Sequence, residues 1–337
     1  MKKTMAAVIA AAGVLMMMTG CGNRSGRNED GSITLSIGYT TAANEDDPYH
    51  ITAAKFKELV EERSGGSVIV NEYPSSQLGS EPEMWEGMQT ETCDMAVMTN
   101  AYVSSYVHAN GCLDLPFIFR DLEQARAVLD GEFGQALIQN MEGTGVTCLA
   151  FSEGGFRQLC TRAAAIREPQ DLKGLKIRCM ETKTSLSAYR ALGVNATPMA
   201  WGELLTALQQ GTVDGCDAPL SVLYTNGFPD ICKYIDNVNL YYSPLPICIS
   251  SLKMEKLTPE EQAIVRQAAV EAAQAARANN DARASEMEAD LSSKGMTIVA
   301  SDEVDSSAFR AAAQPCYDEM KSYIGGNWFD RLMPLVQ

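Results

Sequence analysis

The chain has 337 residues, 46% of them hydrophobic and 21% charged, which suits a globular protein with one large domain or two of ordinary size. Its formal net charge of −16 argues against nucleic acid and anionic membrane surfaces as partners. If the ligand is itself an anion, its binding must come from a few cationic groups in a sheltered cleft, where screening by salt is weak.

The N-terminus has the proportions of a signal peptide. Two lysines precede an uncharged apolar run over residues 5–18, which is too short to span a bilayer as a helix. The run ends in the sequence MTGC, which resembles the cleavage box of bacterial lipoproteins with Met where Leu is usual. It predicts a lipidated Cys21 and an anchor at the outer face of a membrane; a simple signal peptide cleaved nearby is the alternative. We expect residues 1–20 to be removed and residues 21–32 to form a flexible tether.

The first half of the sequence alternates short β-type runs with helical patterns, which predicts an α/β fold with a largely parallel sheet. Asp47 and Pro48 open one helix, because aspartate is a good N-cap residue and proline suits the first helical turn. A second helix is predicted over residues 81–90. The strands predicted in this half cover residues 33–38, 67–73, 94–99 and 146–152.

The second half repeats the pattern. Two helices are predicted over residues 182–192 and 202–210. The strands predicted in this half cover residues 156–161, 175–179, 194–197 and 213–217.

Two α/β halves in sequence imply two lobes with a cleft between them, where ligand sites tend to lie. We expect lobe I to comprise residues 33–154, with about 243–280 returning to it. We expect lobe II to comprise residues 155–242, with about 281–337 completing it.

The longest predicted element is a helix from Thr258 to Lys294. Thr258 and Glu261 have the spacing of a capping box at its start, and a glycine follows its end. At ~1.5 Å per residue this helix would be about 50 Å long, which is more than one lobe requires. A continuous helix could run behind both lobes; the alternative is two helices broken near Asn279 and Asn280.

Nine cysteines besides Cys21 are spread along the chain, and an odd number cannot all pair. None has a CxxC or Cys/His spacing typical of a metal site, and most lie within apolar runs. This favours free cysteines that act as small core residues, with a disulfide framework as the alternative. Because exported proteins in oxidising surroundings usually avoid free thiols, the pattern points to a reducing or anoxic habitat.

Signals for catalysis are weak. The chain has two histidines, His50 and His108, and neither lies beside an obvious nucleophile. It has no GxSxG elbow, no glycine-rich phosphate loop and no HExxH zinc motif. We therefore expect a binding protein without enzymatic activity, cofactor or metal.

Two arginines stand out because each lies among apolar β-type residues in a strongly acidic chain. Arg157 lies in the run GFRQL, and Arg178 ends the run LKIR, in which alternation separates Arg178 from Ile177. A guanidinium at the end of a strand can reach into a cleft and bind a carboxylate through two parallel hydrogen bonds. The alternative is a structural salt bridge to a nearby Asp or Glu.

Several motifs resemble those of the DctP-type solute-binding proteins of TRAP transporters. They cover essentially the whole mature chain in the expected order. The motifs are PYHITAAKFKELVEERSGG (48–66), PSSQLGSEPE (74–83), CDMAVMT (93–99), LDLPFIFRD (113–121), GGFRQLCTR (154–162), PQDLKGLKIR (169–178), TPMAW (197–201), ELLTALQQGTVDG (203–215) and YSPLPICIS (242–250).

The resemblance implies a two-lobed, periplasmic-binding-protein-like (Venus flytrap) fold with a long helix spanning both lobes. It also implies an extracytoplasmic receptor that closes around a small organic acid and delivers it to a TRAP-type permease, with uptake driven by an ion gradient and without a nucleotide. Three rivals stay open: an ABC-type binding protein, an enzyme on a bilobal fold, and a sensory receptor whose closed form docks on a signalling partner.

The resemblance also assigns site residues. Arg178 matches the arginine that pairs with the ligand carboxylate, and Arg157 matches a second contact to the acid group. Trp201 matches an aromatic residue that packs on the ligand. Other positions that match the family's cleft are Thr40, Thr99, Glu81 and Tyr242.

One position departs from the family. Where the family often reads DGQENP, this chain reads DGCDAP over residues 214–219, so Ala218 replaces an amide that commonly binds the ligand. Either the ligand is bulkier there, or Asp217 or a water supplies the polar contact. Because an acceptor-only Asp suits hydroxyls better than a second carboxylate, the departure favours a sugar acid such as a uronate over a C4-dicarboxylate.

Overall fold

The described residues, 26–336, form an α/β structure in a computed structural model, and the predicted signal peptide and Cys21 lie outside them. Within this range no helix combines the length and the apolar character that a bilayer span requires. The strands are β1 (Ile33–Gly38), β2 (Val68–Tyr73), β3 (Met95–Val97), β4 (Val146–Thr161), β5 (Lys176–Cys179), β6 (Asn195–Pro198), β7 (Gly215–Pro219), β8 (Tyr234–Ser250) and β9 (Thr297–Val299). The helices are α1 (Pro48–Arg63), α2 (Glu81–Thr90), α3 (Asn100–Val103), α4 (Leu122–Asp130), α5 (Glu132–Asn140), α6 (Lys183–Ala191), α7 (Trp201–Gln210), α8 (Leu220–Thr225), α9 (Ser251–Glu255), α10 (Pro259–Ser293), α11 (Ser306–Ile324) and α12 (Gly326–Val336).

All strands of the described chain belong to one sheet, in the order β2-β1-β3-β8-β4-β7-β5-β6, with β9 on β8. At one end β1 pairs in parallel with β2 and β3, and with α1 to α3 these strands form what we call the first parallel unit. At the other end β5 pairs in parallel with β6 and β7, which with α6 to α8 form the second parallel unit. The centre, β3-β8-β4-β7, is antiparallel. The prediction of a largely parallel sheet is therefore correct for the two ends and wrong for the centre.

A single strand, β4, runs through the position where the sequence predicted two. The expected strands at 146–152 and 156–161 are joined, so the predicted break between them is wrong. Gly155 has a φ of +89°, and the register against β8 shifts between Glu153 and Gly155, which marks a β-bulge. Because glycine absorbs the kink while pairing continues on both sides, β4 and β8 cross from one parallel unit to the other.

One continuous helix, α10, has 35 residues, so a break near Asn279 is excluded. Its start is the predicted capping box, in which the side chains of Thr258 and Glu261 each accept a hydrogen bond from the other's backbone N–H. The helix packs on α1 and β4 and also contacts α8 and β9, so it lies along both parallel units. Small side chains let it approach closely, and those fully buried on it are Ala268, Ala269, Ala272, Ala273 and Ala276.

Part of the predicted tether is held to the folded body. Arg27 donates hydrogen bonds to both carboxylate oxygens of Glu261 on α10, at 3.1 and 2.5 Å. Asn28 donates to the side chains of Ser32 and Thr34. The folded body therefore begins before β1, and the tether predicted over residues 21–32 ends earlier than expected.

The nine cysteines between residues 26 and 336 are all buried, and none forms a disulfide. The prediction that they act as small core residues is confirmed. Burial raises the pKa of Cys93 and of Cys179 to about 12, so these thiols stay protonated at neutral pH and are poor nucleophiles.

Glu153 ties the bulge of β4 to two helices. Its buried carboxylate accepts hydrogen bonds from Nε and Nη2 of Arg126 on α4, at 2.9 and 2.6 Å. Tyr242 on β8 donates to the same carboxylate at 2.8 Å, and Arg277 on α10 lies 3.8 Å from it. The carboxylate is tolerated inside the protein because these cations and the hydroxyl replace its lost hydration.

We expect Glu153→Gln to lower the free energy of unfolding by about 3 kcal/mol, because the substitution removes the buried counter-charge of Arg126 and Arg277. Chemical denaturation of the purified protein measures this change. Glu123→Gln on α4, the helix that carries Arg126, is the control, since Glu123 is exposed; it should change stability by less than about 0.5 kcal/mol. Equal stability of Glu153→Gln and the wild type would contradict the role of this network.

Candidate functional site

A small cavity lies between the two parallel units. The first unit contributes hydroxyl, aromatic and acidic side chains, the second contributes a guanidinium, an indole and apolar groups, and Arg157 comes from the crossing strand β4. The cavity volume is about 20 Å³, which is room for one water molecule. The lining residues are Thr40, Thr41, Tyr49, Glu81, Thr99, Tyr102, Arg157, Arg178, Met180, Trp201, Ala218, Pro219 and Val222.

Arg178 is buried at the end of β5, with 1% of its surface exposed. Its Nε and Nη2 atoms donate to the backbone oxygen of Met199 at 2.9 and 2.7 Å, so one edge of the guanidinium is fixed by the main chain. Its Nη1 atom is buried and has no hydrogen-bond partner among residues 26–336. A buried donor without an acceptor costs stability, so this edge is positioned to receive an acceptor from a ligand.

Trp201, the first residue of α7, stands beside that guanidinium. The Cζ atom of Arg178 lies 5.9 Å from the centre of the indole ring, a cation–π contact, and the ring of Phe228 lies 5.7 Å from the indole between centroids. The indole is only partly buried and packs at the edge of the core. Trp201 therefore both orients Arg178 and gives the cavity an apolar wall.

Arg157 has the salt bridge that the sequence left open as an alternative, and it also lines the cavity. Its Nε donates to Oδ2 of Asp217 at 2.5 Å, and its Nη2 donates to the backbone oxygen of Asp217 at 2.6 Å. Burial opposes the charge, but the Asp217 carboxylate outweighs it and holds the pKa of Arg157 above its usual range. Its Nη1 makes no hydrogen bond within the described residues, so Arg157 also keeps one edge for a ligand.

Two residues nominated from the sequence, Asp217 and Tyr242, do not line this cavity. Both carboxylate oxygens of Asp217 are occupied, one by Arg157 and the other by the hydroxyl of Tyr189 at 2.6 Å. Alternation along β7 turns Ala218 toward the cavity and Asp217 away from it. Tyr242 is buried against Phe156 and Phe119 and donates to Glu153. Asp217 thus positions Arg157, and Tyr242 belongs to the network at the bulge.

Glu81 opens helix α2 and faces the cavity with 4% of its surface exposed. Its Oε1 accepts from the backbone N–H of Thr99 at 2.5 Å, and the hydroxyls of Thr99 and Tyr49 are 2.7 Å apart. Burial raises the pKa of Glu81 to about 7, against the opposing effect of the Thr99 hydrogen bonds and of the two cavity arginines. The carboxyl group is therefore poised between its two protonation states near neutral pH.

A set of hydrogen bonds joins the two parallel units beside the cavity. The backbone N–H of Ala42 donates to Oδ1 of Asn226 at 2.9 Å, and Nδ2 of Asn226 donates to Asp47 at 3.0 Å. Arg283 on α10 donates to both carboxylate oxygens of Asp46 at 3.0 Å. We call Asp46, Asp47, Asn226 and Arg283 the latch. Because the latch spans the cleft, the structure is that of a closed form.

Several lining residues were missed from the sequence, chief among them Tyr49, Tyr102 and Met180. Tyr49 follows Pro48 at the start of α1, and Met180 follows the strand that carries Arg178, so proximity to a nominated residue was the available signal. No lining residue is a histidine, lysine or cysteine. Between residues 26 and 336 no group of three or more His, Cys, Asp or Glu side chains is arranged to hold a metal ion. The cavity is equipped to bind an anion.

Comparison with known proteins agrees with this geometry. Residues 39–323 match family 7 of the bacterial extracellular solute-binding proteins, DctP. The chain is 34% identical over 236 residues to the 2,3-diketo-L-gulonate-binding periplasmic protein YiaO of Escherichia coli K12, covering 70% of this chain and 71% of YiaO.

Two solved structures of TRAP periplasmic solute-binding proteins are similar throughout. The protein from Polaromonas sp. JS666, bound to D-erythronate, has 34% identity and a TM-score of 0.85, over 89% of this chain and 98% of its own. The protein from Roseobacter denitrificans, with bound L-galactonate, has 30% identity and a TM-score of 0.82, over 90% and 98%. The predicted two-lobed α/β fold is confirmed. The chain belongs to the DctP family, family 7 of the bacterial extracellular solute-binding proteins, as its motifs predicted.

Proposed function

We propose that this protein is a receptor that captures a small hydroxylated carboxylate, with a sugar acid of the uronate or aldonate class as the leading candidate, and delivers it to a TRAP-type permease. The observation that carries the proposal is the buried guanidinium of Arg178, held by Met199 on one edge and without an acceptor among the described residues on the other. Membership of the DctP family supports the permease as partner.

The arginine edges favour a carboxylate as the anion. The free edge of Arg178 offers two parallel N–H groups, a spacing that matches the two oxygens of a carboxylate. Arg157 adds a second cation whose position is fixed by Asp217. Because both guanidiniums are buried and already oriented, little side-chain entropy is lost when the ligand binds.

The other wall of the cavity favours hydroxyl groups on the rest of the ligand. It presents the hydroxyls of Thr40, Thr99 and Tyr49 together with the carboxyl of Glu81. A ligand hydroxyl can donate to an ionised Glu81 and accept from a threonine, whereas a second carboxylate would meet Glu81 as a like charge. Ala218, in place of the family's amide, offers no donor to a second acid group.

The relatives support the same ligand class. The Polaromonas and Roseobacter proteins hold D-erythronate and L-galactonate, and YiaO is named for a diketo-sugar acid. A C4-dicarboxylate is the second candidate, and one observation favours it: with its pKa at about 7, Glu81 can hold a proton and donate to a second carboxylate.

Binding requires the lobes to open and close. The cavity of about 20 Å³ cannot admit a sugar acid as it stands, so the ligand must enter a form in which the latch is broken. Re-closing then adds contacts from both parallel units to the same ligand, and the closed population rises with ligand concentration. The permease would recognise that closed population.

Membrane anchoring through Cys21 is part of the proposal. The MTGC box supports lipidation of Cys21 after removal of residues 1–20, with the folded body held at the outer face of the membrane. Mass spectrometry of the mature protein should find a diacylglyceryl group on an N-terminal Cys21, and Cys21→Ser should release the protein from membranes. An unmodified N-terminus at another residue would contradict the anchor.

The proposed pairing of Arg178 with the ligand carboxylate is tested by Arg178→Ala and Arg178→Lys. We expect either substitution to weaken binding of D-galacturonate, D-galactonate or D-erythronate by roughly 100-fold. Alanine removes the guanidinium, and lysine keeps the charge but lacks the two parallel N–H groups. Calorimetric titration and thermal shift of the purified protein measure the loss, with Arg190→Ala, an exposed arginine on α6, as the control. The ligand-free melting temperature should fall only slightly, since the substitution loses the two hydrogen bonds to Met199 but also removes a buried unsatisfied donor. Unchanged affinity, or a collapse of ligand-free stability, would show that Arg178 is structural.

The pH dependence of affinity separates the two ligand classes. For a hydroxy acid that donates to ionised Glu81, the dissociation constant should be about tenfold larger at pH 6 than at pH 8, since a group with a pKa of about 7 must first lose its proton. A dicarboxylate that needs protonated Glu81 gives the opposite slope. Glu81→Gln should flatten either profile; a slope that survives in Glu81→Gln would assign the titration to another group.

The latch is tested by Asn226→Ala. The substitution removes the bonds to Ala42 and Asp47, so we expect the closed form to lose about 1–2 kcal/mol and the ligand to dissociate roughly tenfold faster. Stopped-flow measurement of dissociation detects this change, with the exposed Asn195→Ala as control. Dissociation at the wild-type rate would mean that the latch does not hold the closed form.

A further inference from the structure

A second cavity, of about 240 Å³, lies on the other face of strand β4. Arg157 lines the first cavity, while its neighbours Phe156 and Gln158 line the second, as the alternation of side chains along a strand requires. The outer wall is helix α10, through residues that include Asn280, Ala284 and Glu288. The cavity therefore sits between the long helix and the strands that cross from one parallel unit to the other.

The cavity exists because α10 lacks apolar side chains in this stretch. Its buried face of alanines ends at Ala276, and the next buried side chain on the helix is Met287. Between them the positions that line the cavity carry the half-buried Asn280 and the exposed Ala284, which are too polar or too small to fill the space. The helix is continuous there, so the gap is a feature of the side chains and not of a break in the backbone.

The polar groups of the second cavity are only partly satisfied. Ser221 is 4% exposed, and its Oγ has no hydrogen-bond partner among residues 26–336. Nε2 of Gln158 donates to Asn239 at 2.6 Å, and the backbone N–H of Asn239 donates to Oε1 of Gln158 at 2.9 Å. Asn237 donates to Glu288 at 2.8 Å. Each amide keeps a further donor or acceptor after these bonds, so the wall offers both kinds of group.

The chemistry of this lining differs from that of the first cavity. Glu288 is its one charged residue, and no cation among the described lining residues could hold a carboxylate. Side-chain amides and serine hydroxyls pair with groups that both donate and accept, which is the property of an alcohol. Phe156, Leu220 and Met287 supply apolar surface for a carbon skeleton. We propose that the second cavity binds an uncharged polyol or sugar, independently of the acid bound by Arg178.

The test titrates the full chain with D-glucitol and D-glucose and follows saturable binding by ligand-observed NMR. Ala284→Phe fills the cavity from α10 and should weaken binding at least tenfold. Ala282→Phe, on the same helix but outside the lining, should bind as the wild type does. Ser221→Val fills the cavity from the opposite wall and removes the unpaired hydroxyl, so it provides the same test if Ala284→Phe does not fold.

Arg178→Ala distinguishes this site from the first cavity. If the polyol occupies the second cavity, its binding is retained in Arg178→Ala, and this result supports the proposal. Loss of polyol binding in Arg178→Ala would place the polyol in the acid site and overturn it. The proposal is also overturned if neither probe binds saturably to the wild type, which would make the cavity a pocket for water alone, or if Ala284→Phe and Ser221→Val bind normally.

Discussion

Two guanidinium groups buried at the centre of a strongly acidic chain are the constraint on which the site depends. Removing a cation from water costs several kcal/mol, so each must be held by fixed acceptors. Arg157 is held by the side chain and backbone of Asp217, and Arg178 by the backbone of Met199. Each anchor occupies one edge and leaves the other toward the cavity. The acceptors that make burial possible therefore also decide which way the cations face.

The crossing strands β4 and β8 connect the cavities to the two parallel units. Strand β4 carries Arg157 into the first cavity and Phe156 and Gln158 into the second, so one strand forms a wall of both. The bulge at Gly155 lies beside them, and Glu153 ties it to α4. A change in the angle between the parallel units must pass through this stretch, because β4 and β8 are the long strands that join them. In the proposed function, ligand binding and lobe movement therefore act on the same few residues.

Local signals in the sequence predicted most elements, because caps depend on residues three or four apart. The starts of α1 and α10, set by Asp47 and Thr258, lie where they were expected. The cavity arginines could be nominated because a cation in an apolar run is conspicuous. The antiparallel centre of the sheet could not be predicted, since strand direction depends on pairing between distant segments. The role of Asp217 was missed for the same reason: its partner Arg157 is 60 residues away, and alternation predicts two faces without saying which one lines the cavity.

In the proposed function, Glu81 shows how a site that contains a carboxyl group can still select an acid. The buried carboxyl shares its cavity with two cations, and its pKa of about 7 reflects burial working against their attraction. A ligand hydroxyl that donates to Glu81 stabilises the ionised form, whereas a second carboxylate brings a repulsive charge to the same place. A repulsive element gives specificity because it weakens binding of the wrong ligand without raising the affinity for the right one. In the proposed function, Arg178 supplies affinity for any carboxylate, and Glu81 restricts what the remainder of the ligand can be.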